Sequence, residues 1–247
     1  MSGLGRRGQG ELALSELADL AESRSSSHSI GQLARRLPDI ASNEDDASAA
    51  SLLGQILSLV YPANVADLLS KQILSVFGSL GASLAARLEQ LHSSVPHGSE
   101  IYVILQSIHR LLVGVLREKI QDSLHIRNTE DLYNYLRLTL SHERSEQVRL
   151  LHLSSSNGLI RDELHATGTI DQIAVYPREI VKRSLELNSS ALIVVHNHPS
   201  GDPTPSADDI DMTRRLGVAL KAIGITLHDH VIVGRRECFS FKAERLI

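Results

Sequence analysis

His196, His198, Ser206 and Asp209 are the side chains whose types and spacing in this sequence best suit chemistry. Two neutral imidazoles and one carboxylate are a suitable set of three protein ligands for a catalytic zinc, with the fourth position left to water. Residues i and i+2 of an extended segment point to one side, and a Pro- and Gly-rich loop between His198 and Ser206 can fold back so that Asp209 closes the triangle. Zinc held there would lower the pKa of its water toward about 7 and would polarise a carbonyl. A bare His-x-His carries little weight in a chain with 12 histidines, and a second one, His228-Asp229-His230, follows. The first pair is set apart by its continuation to Ser206 and Asp209. The same residues also read as a helix start, with Ser206 as N-cap and Asp209 at the third helical position of a capping box, and the histidines as hydrogen-bonded loop residues. Capping and catalysis are compatible, because the partial positive charge of a helix start stabilises a developing oxyanion.

The elements that must position these groups are legible around them. Ala191–Val195 is an apolar, β-branched run of strand length, expected to be covered on both faces, and it ends abruptly at His196, where loop residues can project into a cleft. A helix is expected from about Ser206 to Ala222, with Ile210, Thr213, Leu216 and Leu220 inward and Gly224 closing it. Upstream, Gln147–Leu153 alternates as a half-buried strand, Ser154–Gly158 forms a turn and Leu159–His165 reads as a hairpin partner. Pro177 opens a helix carrying Ile180, Val181 and Leu185, while Thr226–Val233 and Cys238–Phe241 read as further strands.

Before this α/β region the period is helical. Leu68, Leu69, Ile73 and Val76 fall on one face, then Leu80, Leu84, Leu88 and Leu91, then Ile101, Ile104, Leu105, Ile108, Leu111, Leu112, Val115 and Leu116. Three parts follow: a loosely helical or poorly ordered appendage over 1–51, a small all-α domain over 52–127, and a mixed α/β domain over 128–247, its helix start at Asn128–Asp131. Hydrophobic residues make up 42% and charged residues 22%, which excludes disorder throughout. Aromatics at 3% with no Trp exclude a base-stacking protein. A single cysteine, Cys238, excludes a disulfide framework or a Cys-rich zinc ribbon and is read as a small buried hydrophobe. Neither a membrane-length apolar run nor a secretory leader opens the chain, so a cytoplasmic location without membrane contact is expected. A net charge of −4 disfavours tight nonspecific DNA binding.

The string His196-Asn197-His198-Pro199-Ser200-Gly201, with Pro205-Ser206 and Asp209, resembles the JAMM metalloprotease motif in the form found in RadC-type proteins. Glu163 with Gly168-Thr169, Pro177–Val181, and Asp229–Gly234 match as well, and the resemblance covers roughly 128–247. It implies a JAB/MPN-like, cytidine-deaminase-like mixed sheet with flanking helices. It also implies zinc on His196, His198 and Asp209, a tetrahedral intermediate stabilised by Ser206, and Glu163 as general acid/base. The activity so implied is zinc-dependent hydrolysis of an amide or isopeptide bond in a protein or peptide by metal-activated water.

Taken without the resemblance, the acidic candidates near a strand are Asp162, Glu163, Asp171 and Glu179. The hairpin can bring Glu163 against the zinc water, where it would accept a proton and later deliver it to the leaving amine, and the alternative is an exposed strand carboxylate. His165, two residues on, is a lesser candidate. His228, Asp229 and His230 are expected to be structural or to support the ligands from behind. Two rivals stand beside the enzyme: a DNA-associated repair or recombination factor or nuclease-like protein, and a metal-binding module without turnover. RadC-like proteins often carry a helix-hairpin-helix-like segment, but Ser93–Gly98 has one glycine where a Gly-x-Gly amide nest is needed, so only weak DNA association through Arg110, Arg117, Lys119 and Arg127 is expected.

Overall fold

The computed structural model describes residues 46–122, 129–168 and 176–247. The expected appendage therefore lies almost wholly outside the described residues, as do Arg127, Asn128, Thr169 and Asp171. The chain divides into two compact units, residues 1–106 and 107–247, with one long helix contributing to both.

The described part of the first unit is helical: α1 (Asp46–Leu57), α2 (Ala63–Phe77), α3 (Leu80–Leu84), α4 (Leu88–Ser94) and the start of α5 (Gly98–Asp122). Val65, Leu69 and Ile73 form the buried stripe of α2 at i, i+4 spacing, whereas Leu68 and Val76, expected on that face, are about half exposed on its flanks. The leucines from Leu80 to Leu91 do not share one helix, because the backbone is extended at Arg87 and a second helix starts there. On α5, Ile101 and Leu105 are buried but Leu111 is largely exposed, so the expected stripe fades after its first turns. Among the described residues, Gly98–Gln121 is long and apolar enough by length and composition to cross a membrane. Core helices of water-soluble proteins pass the same test.

The second unit adds α6 (Thr129–Leu140), β1 (Glu146–Leu153), β2 (Leu159–Gly168), α7 (Pro177–Glu186), β3 (Ala191–Asn197), α8 (Ala207–Lys221), β4 (Thr226–Val233) and β5 (Cys238–Ser240). The strands form one mixed five-stranded sheet in the order β2-β1-β3-β4-β5, with β3 and β4 parallel and the other neighbours antiparallel. Strand alternation sorts β3 onto two cores. Ile193 and Val195 join Leu151, Leu153, Val231 and Val233 under Leu132, Leu136 and Leu140 of α6. Leu192 and Val194 join Val148 and Leu150 under Ile180 of α7 and Leu216 and Leu220 of α8. Every residue of β3 is buried, as a strand covered on both faces requires. Parity then puts His196 on the α7/α8 side and Asn197 on the α6 side, at the end of the central strand. Cys238 packs partly buried against the α6 core, where burial pushes its thiol up to about 11.

Candidate metal centre

His196 is the last side chain of the α7/α8 face of β3, and it is 1% exposed. His198 sits on the following loop, which is tied back to β4 by the His198 N–H donating to Val233 O at 3.0 Å. Gly201 turns that loop at φ +91°, and the Arg235 N–H donates to its carbonyl at 2.9 Å. Gly234 is required by close approach, since a Cβ there would stand 2.6 Å from Gly201 O and 2.8 Å from Pro203 Cδ. The loop then enters α8 through Ser206. Its Oγ accepts from Asp209 N–H at 3.1 Å, and its N–H donates to Asp209 Oδ2 at 2.8 Å. The capping box foreseen in the sequence is formed, and it is the device that aims Asp209 at the histidines.

The three candidate ligands converge. His196 Nε2 lies 3.0 Å from His198 Nε2 and 3.2 Å from Asp209 Oδ1, and His198 Nε2 lies 3.6 Å from Asp209 Oδ2. These atoms fall within 4.8 Å of one another, a cluster that could hold a metal ion. Around a tetrahedral zinc with ligands at about 2.1 Å, ligand atoms stand roughly 3.4 Å apart, which matches the spacing found. The donor chemistry fits a cation too. His198 Nδ1 faces Asp202 O at 2.7 Å, and a carbonyl only accepts, so the ring proton is committed to Nδ1 and a neutral ring presents a bare Nε2. Burial pushes the Asp209 carboxyl up, but hydrogen bonds from His196 and His198 in their protonated forms, the charge of His196 and the Ser206 hydroxyl bring it well below the usual carboxylate range. The His198 imidazole is raised, first by its hydrogen bond to Asp209, with burial opposing. The centre favours positive charge.

Ser206 joins this cluster, with its Oγ donating to Asp209 Oδ2 at 2.6 Å. Glu163 does not. It pairs with Leu150 on β1, and Leu150 pairs with Val194, two residues short of His196 and two strands away. Two residues at about 3.3 Å and two strand spacings at about 4.8 Å put its backbone roughly 12 Å from that of His196. Its carboxylate is held in a fork by Arg183, Nε to Oε1 at 2.7 Å and Nη2 to Oε2 at 2.9 Å, and it also faces His152 Nε2 at 3.5 Å. The Arg183 hydrogen bonds keep the Glu163 carboxyl below its ordinary value, against burial. His165 lies in the field of Glu163 and Glu179 and is not one of the clustered ligand residues.

A carboxylate near the candidate ligands is Glu146, the first residue of β1 and one residue before the strand start expected at Gln147. Val148 is the partner of His196, and Glu146, two residues before it, lies on the same face of β1 at the site end. Burial pushes its carboxyl up, with His196 and His198 lowering it and Asp209 raising it, so all three ligands act on it. Asn197 locks this strand end: its Oδ1 accepts from Gln147 N–H at 2.9 Å and its Nδ2 donates to Ser145 O at 3.2 Å. Behind His196 lies His230, fully buried, its Nε2 2.8 Å from His196 Nδ1. The Asp229 carboxylate beside it accepts from the N–H groups of His230 and Lys242 and from Ser240 Oγ. His228 faces Lys242 and touches none of the cluster.

Residues 126–246 match the family model of the RadC-like JAB domain. A UPF0758 protein of Ruegeria pomeroyi is 42% identical over 193 residues, covering 78% of this chain and 86% of its own length. Another, from Rhodobacter capsulatus, is 41% identical over 196 residues, covering 79% and 92%.

Proposed function

Because the chain belongs to the RadC family, with a RadC-like JAB domain over its C-terminal half, we propose that it is a zinc-dependent hydrolase cleaving an amide or isopeptide bond in a protein or peptide. The observation that carries this reading is the convergence of His196 Nε2, His198 Nε2 and the Asp209 carboxylate, with the Nδ1 atom of each ring engaged elsewhere. His196, His198 and Asp209 would hold the ion, which when bound supplies Lewis-acid polarisation of a carbonyl and acidification of water.

The other residues act through protons and position. Glu146, on the ligand face and with its carboxyl raised by burial, is suited to accept a proton from the attacking water and return it to the leaving amine. That role, which the resemblance implied for Glu163, passes to Glu146 in this proposal, because an Arg183 fork occupies both oxygens of Glu163. Ser206 holds Asp209 through its hydroxyl and its N–H, and its place at the start of α8 supports the additional oxyanion role that the resemblance implies.

The test uses the full chain. About one zinc per chain is expected, lost in His196→Ala and Asp209→Ala, together with cleavage of members of a peptide library. Glu146→Gln should keep the zinc and lose about 100-fold or more in turnover, while Glu163→Gln keeps both. Zinc content unaltered by both ligand variants would defeat the metal reading. A fully active Glu146→Gln would defeat the proton role.

A further inference from the structure

We propose that His230 and Thr213 are positioning residues. They fix the tautomer of His196 through a directed chain of hydrogen bonds ending on the backbone carbonyl of Asp209, so that the His196 Nε2 lone pair faces the metal position before an ion arrives. The inference rests on the metal-site reading above and deepens it.

The direction of the chain follows from its far end. Thr213 Oγ1 lies 2.5 Å from Asp209 O, and a carbonyl can only accept, so the hydroxyl proton is committed there. The same hydroxyl lies 2.5 Å from His230 Nδ1 and must accept from that nitrogen, so the His230 proton sits on Nδ1. Both ring nitrogens of His230 have neutral partners, one face stacks on Phe241 at 4.5 Å and the ring is fully buried, so burial opposes a second proton. Its Nε2 is therefore bare and accepts from His196 Nδ1–H at 2.8 Å. A neutral His196 then carries no proton on Nε2, the atom 3.2 Å from Asp209 Oδ1.

Asp209 thus serves twice. Its carboxylate joins the ligand cluster, and its carbonyl, one helical turn before Thr213, sets the protons of two rings on β3 and β4. His196, Thr213 and His230 are each at most 2% exposed, so solvent cannot replace a missing link. Removing the Thr213 hydroxyl would leave His230 Nδ1–H unpaired in the core. Relief comes by moving that proton to Nε2, which obliges His196 to accept on Nδ1 and to carry its own proton on Nε2, at the ligand position.

The experiment is ¹⁵N NMR of the histidine rings in the metal-free full chain, about two pH units above the ordinary imidazole pKa, with zinc affinity measured by competition against a fluorescent chelator. In the unmutated protein His196 and His230 should both be Nδ1–H tautomers. Thr213→Val should shift both toward Nε2–H and weaken zinc binding about 10- to 100-fold, and Thr213→Ser should restore tautomers and affinity. An Nε2–H tautomer at His196 in the unmutated protein, or a Thr213→Val protein with unchanged tautomers and affinity, overturns the proposal. Should Thr213→Val fail to fold, the unmutated spectrum decides. Should the protein bind no zinc, the metal reading falls while the tautomers of the metal-free chain still decide this one.

Discussion

Two acidic residues show how much a single position on a strand decides. Glu146 and Glu163 lie on one face of the sheet, but only Glu146 stands at the end of β1 beside His196, while Glu163 is engaged by Arg183. Glu146→Gln and Glu163→Gln are therefore expected to separate. The first loses turnover at unchanged melting temperature, and the second loses melting temperature at unchanged turnover; paired activity assays and thermal melts check both. Asp229 makes a different prediction. It is buried and accepts three hydrogen bonds, two of which, from Ser240 and Lys242, hold the turn after β5, so Asp229→Ala leaves two backbone N–H groups and a hydroxyl without their acceptor. A loss of about 2–3 kcal/mol is expected from denaturant unfolding.

Among the elements, the loop from His198 to Ser206 depends most on its neighbours. It is held by β4 through Val233 O and by the glycine contact between Gly201 and Gly234, and its last residue caps α8. Gly234→Ala forces a Cβ against Gly201 O and Pro203, neither of which can yield without moving the loop. The expected cost is about 1–3 kcal/mol, with weakened zinc binding because His198 is oriented by Asp202 O on the same loop. A melt and a chelator competition on that variant would show it, and wild-type values for both would refute the argument. The helix α8 joins the loop to the core: Leu216 and Leu220 anchor it on the sheet, while its first turn offers Asp209 and its second Thr213.

At the scale of the molecule, an imidazole on β1 links stability to pH. His152 is fully buried, its Nδ1 3.0 Å from Ser189 Oγ, and burial, with Glu163 opposing, lowers its pKa below the ordinary value. The unfolded chain therefore binds the proton first as pH falls. Stability is complete above about pH 6.5 and declines below it, by up to ~1.4 kcal/mol per pH unit for this one proton. Melts of the metal-free protein between pH 7.5 and 5.5, values about one unit either side of the imidazole pKa, should show that slope, reduced in His152→Gln; equal slopes would exclude His152 as the source. Local pattern alone was enough to find the strand before His196, the capped helix after it and the cluster of His196, His198 and Asp209 that could hold a metal ion, because alternation, capping and short-range spacing are written in neighbouring residues. The sequence also bounded β4, Thr226–Val233, which lies between Gly224 and Gly234. It could not place Glu146 on the face of His196, His230 behind that ring, Thr213 against His230, or Glu163 in the grip of Arg183. Those assignments depend on which residues of separate strands stand opposite one another, and on whether a carboxylate ends beside an arginine or beside two imidazoles. Register and burial across the sheet are set only when the whole core packs, so the candidate cluster is legible in the sequence and the groups that surround it belong to the fold.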